Sequence, residues 1–64
     1  GWPRGRETYE QIVGDAINRA KGVVIFYKGL KGFAQDFESR RMIDSMIDRE
    51  EHHIRQLSNA FLQT

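Results

Sequence analysis

Asp48-Arg49-Glu50-Glu51-His52-His53-Ile54-Arg55-Gln56-Leu57 sits inside a long helical pattern. It belongs to a longer series, Ile43, Met46, Ile47, Glu50, His53, Ile54, Leu57 and Phe61. The steps of three and four place every member on one helix face. Two members are not hydrocarbon. Glu50 and His53 stand one turn apart where the stripe otherwise carries apolar side chains. A carboxylate removed from water is costly unless a partner or a metal ion compensates its charge. Glu-x-x-His is also a metal-ligating pattern of helical bundles, because the i, i+3 spacing aims both side chains the same way.

The rest of the 64-residue chain supplies little with which to hide such a pair. One domain at most is expected, and a core this small is marginal alone. There is no cysteine, so neither disulfides nor a thiolate metal site adds stability. That composition suits a reducing cytoplasm, the expected location. Ten basic and nine acidic side chains give a net charge of +1. Such a balance leaves no electrostatic footprint for nucleic acid or an anionic membrane. No apolar run approaches the roughly twenty residues a bilayer requires, and the N-terminus does not resemble a signal peptide.

Residues 1–6, with Trp2, Pro3 and two glycines, read as a loose arm; Trp2 alone argues otherwise, as a side chain suited to docking on a neighbouring helix. A first helix is expected over about 7–33. Tyr9, Ile12, Val13, Ala16, Ile17, Ala20, Val23, Val24, Tyr27 and Leu30 keep helical spacing along it. Glu7 and Glu10 near its start and Lys28 and Lys31 near its end suit the helix dipole. Val23 to Tyr27 is five apolar residues in a row, a strand if taken alone. The flanking periodicity makes it a helix that is apolar on more than one face, which one hairpin cannot cover. Gly22 and Gly29 share a face, with Ile25 between them. They mark either the close approach of another helix or tolerated weak spots, each costing about 1 kcal/mol relative to alanine.

A break is expected near Phe33 to Asp36, with Gly32 closing the first helix and Asp36 capping the second. The second helix then runs over about 37–61. Arg41, Asp44, Asp48, Glu51 and Arg55 form its solvated face, with Glu51 and Arg55 a favourable pair. Met42 and Met46 read as core fillers, and His52 points away from the apolar stripe. The fold class is therefore all-α, an antiparallel helical hairpin. Two long amphipathic helices are commonly covered by pairing hairpins into a four-helix bundle, so a homodimer or higher homo-oligomer is expected.

With the helices placed, the chain resembles one half of a ferritin-like domain of the rubrerythrin type, similar to half-length encapsulated ferritins. The residues that carry the resemblance are Phe26-Tyr27 then Leu30 on the first helix, and Glu50, His53 and Leu57 on the second. The separation from Tyr27 to Glu50 is the one the family uses. The likeness covers about residues 12–57. It implies a ferritin-like four-helix bundle, metal ligands Glu50 and His53, and Tyr27 beside the metal. One departure is clear: the family's first-helix glutamate falls on Ala20, so the di-iron set is incomplete.

Two copies would bring together two carboxylates and two imidazoles, a set suited to one divalent ion, iron, manganese or zinc. Four protein ligands tend to close a site, whereas catalysis needs an open position. At most a weak ferroxidase-type activity is therefore expected. The competing readings keep the bundle without the metal. In one, Glu50 and His53 form a buried hydrogen-bonded cluster that fixes register. In the other, the chain is a non-catalytic scaffold or protein-interaction module. Neither the metal nor a protein partner is named by the residues.

Overall fold

The structure, a computed structural model, describes residues 5–62, Arg6 by its backbone alone. Two helices, α1 (Gly5–Lys31) and α2 (Phe37–Leu62), form an antiparallel hairpin, with no strand among the described residues. The all-helical expectation holds, including Val23 to Tyr27, where flanking periodicity outweighs β-propensity. α1 starts two residues earlier than expected and stops two residues earlier, and α2 runs one residue further. The expected docking of Trp2, and residues 1–4 of the arm, lie outside the described residues.

The turn works by capping. Asp36 precedes α2 and its Oδ2 accepts the Ser39 backbone N–H at 2.9 Å, which satisfies one of the helix's orphan donors. Hydrogen bonds from Ser39, its side chain first and its backbone second, hold the Asp36 carboxyl below the usual carboxylate range. Gly32 does not close α1 by a left-handed residue, because no described glycine has a positive φ. The end is tightened instead by Gly32, Phe33 and Ala34 N–H groups bonding the carbonyls of Gly29, Leu30 and Lys31 at 3.0–3.1 Å. The Arg40 guanidinium completes it. Its Nη1 donates to the Lys31 carbonyl at 3.4 Å and the Ala34 carbonyl at 3.2 Å, placing a cation on the negative end of α1. Lys31 Nζ also reaches Asp44 Oδ1 at 2.7 Å. Both side chains are largely solvated, so this pair contributes little net stability. The Glu51–Arg55 pair expected on the solvated face is not formed.

One seam supplies the core. Val13, Ala20 and Val24 of α1 and Ile43 and Ile47 of α2 are buried, with Tyr27, Ala34 and Ile54 packed against the Val24–Ile43–Ile47 cluster. No polar side chain is buried among the described residues. The hairpin measures 54 × 21 × 10 Å, a single layer of helices. Part of the α1 stripe is consequently uncovered: Tyr9, Ile12, Val23 and Leu30 are exposed. Met42, expected as a core filler, is 65% exposed, because its position on α2 is turned off the seam. The chain exposes 5428 Å². A compact protein of 7.5 kDa exposes about 4,200 Å². The excess follows from the elongated single-layer shape.

Two predictions follow from the turn and from α1. Asp36→Ala lowers the thermal midpoint near neutral pH, whereas Asp36→Ser largely preserves it. The folded-state pKa is depressed, so the stabilisation is present above the unfolded pKa and is lost as pH falls through the folded one. The two melting curves, followed by circular dichroism, therefore converge in acid. A Cβ added at Gly22 or Gly29 meets open space. Each Gly→Ala change should stabilise the hairpin by about 0.5–1 kcal/mol in urea titrations. Destabilisation would show that another surface packs there.

Candidate metal centre

Winding outward from the seam assigns each remaining residue to one of two broad faces. On one face lie Ile12, Ala16, Val23 and Leu30 of α1 with Met42, Met46 and His53 of α2. On the other, Lys21 and Ile25 share a shallow open groove with Glu51, Ile54 and Arg55. The first face is rich in apolar side chains, with the exposed Arg19 and Arg49 along its outer edges. The second is charged, apart from Ile25 and the groove floor.

Glu50 sits at the margin between the seam and the apolar face, and His53 one turn further along lies on the face itself. The Glu50 side chain is 25% exposed and that of His53 is 54% exposed. Glu50 Oε1 and His53 Nδ1 stand 3.3 Å apart. That is slightly long for an N–H···O hydrogen bond, whose usual range is about 2.7–3.2 Å. It also matches two donors sharing one ion: ligands about 2.1 Å from a tetrahedral centre are about 3.4 Å apart. As a hydrogen bond, Nδ1 carries the proton and donates to the carboxylate. As a metal pair, the ion takes that proton's place between the two lone pairs. One hairpin supplies two donors of a type that ligates divalent ions, and no third side chain completes a set among the described residues.

Other sites named by the sequence fall as follows. Tyr27 is half-buried against the Val24–Ile43–Ile47 cluster, with Phe26 edge-on at a centroid distance of 5.8 Å. No hydrogen bond joins its hydroxyl to Glu50 or His53. Ala20 is 4% exposed within the seam. Its neighbour Lys21 shares a groove with Glu51 and Ile54, so Ala20 lies level with the Glu50–Ile54 turn of α2. A packed methyl therefore stands where the resemblance calls for a carboxylate. His52 is exposed on the far side of α2. Among the described residues, no three His, Cys, Asp or Glu side chains converge as a complete ligand set.

Sequence reasoning missed Arg40. Its carbonyl contacts depend on the path of the turn, and an Arg near a helix start carries no signal of its own. It also missed the Lys21–Arg55 groove, which needs the register between helices. No helix among the described residues is long and apolar enough to cross a membrane. No family model matches the chain, and no curated protein or solved structure is detectably similar to it.

Proposed function

We propose that this chain is half of a rubrerythrin-type, ferritin-like metal-binding bundle. Two hairpins pair across their apolar faces into four helices, and Glu50 and His53 of each chain meet around iron or a similar divalent ion. One observation carries the reading: a carboxylate and an imidazole, with donor atoms 3.3 Å apart, stand beside the uncovered apolar residues Val23 and Met42. Water solvates them in the single hairpin. Once the face is covered, they need each other, their symmetry copies or an ion.

A bound ion would supply Lewis-acid or redox chemistry, and the chain's own residues limit which. Glu50 supplies the anionic ligand and His53 Nδ1 the neutral one. Tyr27 packs against the Val24–Ile43–Ile47 cluster and donates nothing to the pair. Ala20 supplies nothing, so oxidation of ferrous iron is weak or absent. The burial of Ala20 also favours a second reading, a homodimeric scaffold that keeps the bundle and binds no metal.

Two measurements separate these readings. Elemental analysis of protein purified without chelator should find iron, manganese or zinc in the wild type and little in Glu50→Ala. Equal trace amounts in both would leave only the scaffold. Val23→Asp places a charge on the apolar face at a position exposed in the hairpin, where surface changes usually cost under about 0.5 kcal/mol. Light scattering at micromolar concentration should give two chains for the wild type and one for the variant. A wild-type mass of one chain removes the shared site.

A further inference from the structure

We draw no further inference here: the strongest candidate, the shallow groove between α1 and α2 with Val24 and Ile54 at its floor and Lys21, Glu51 and Arg55 on its rim, carries none, because charges of both signs on that rim select no occupant and nothing in the structure shows what covers it.

Discussion

The structure depends on one seam between two helices. Val24 packs with Ile43 and Ile47, Val13 and Ala20 are buried further along α1, and no second layer covers them among the described residues. A single layer can bury only one stripe of each helix, whatever the helix carries elsewhere. α1 carries more apolar surface than one stripe, so Ile12, Val23 and Leu30 remain uncovered beside Met42. Small chains without disulfides commonly resolve this by oligomerising. The uncovered face of this hairpin is the place where such an association would have most to gain.

The same geometry gives the Glu50–His53 pair its meaning. On the charged face the pair would be ordinary surface, and in the seam it would be an unsatisfied burial. At the margin between the seam and the uncovered face it stays partly exposed, Glu50 more enclosed than His53. The packed methyl of Ala20 adds no carboxylate to the pair.

The turn shows a different economy. Asp36 accepts the Ser39 N–H at the start of α2, while Arg40 donates to carbonyls at the end of α1. Two charged side chains, four residues apart, thus serve opposite ends of two helix dipoles. Gly32 needs no left-handed backbone because short i to i+3 hydrogen bonds finish α1. Gly22 and Gly29 lie in open space, so nothing within the hairpin accounts for them.

Helix period, the position of the break and the Asp36 cap were legible in the residues because they depend on neighbours within a few positions. The pairing of Glu50 with His53 was legible for the same reason: i, i+3 spacing alone brings their side chains together. Which apolar residues would be buried was not, since Met42 and Met46 look alike until the seam's direction is set. The lodging of Arg40 on the α1 carbonyls and the level of Ala20 against Glu50 likewise required the register between helices. Local sequence determines which faces a helix has. Only the packing of one helix on another decides which face meets its neighbour, because burial is a property of the pair.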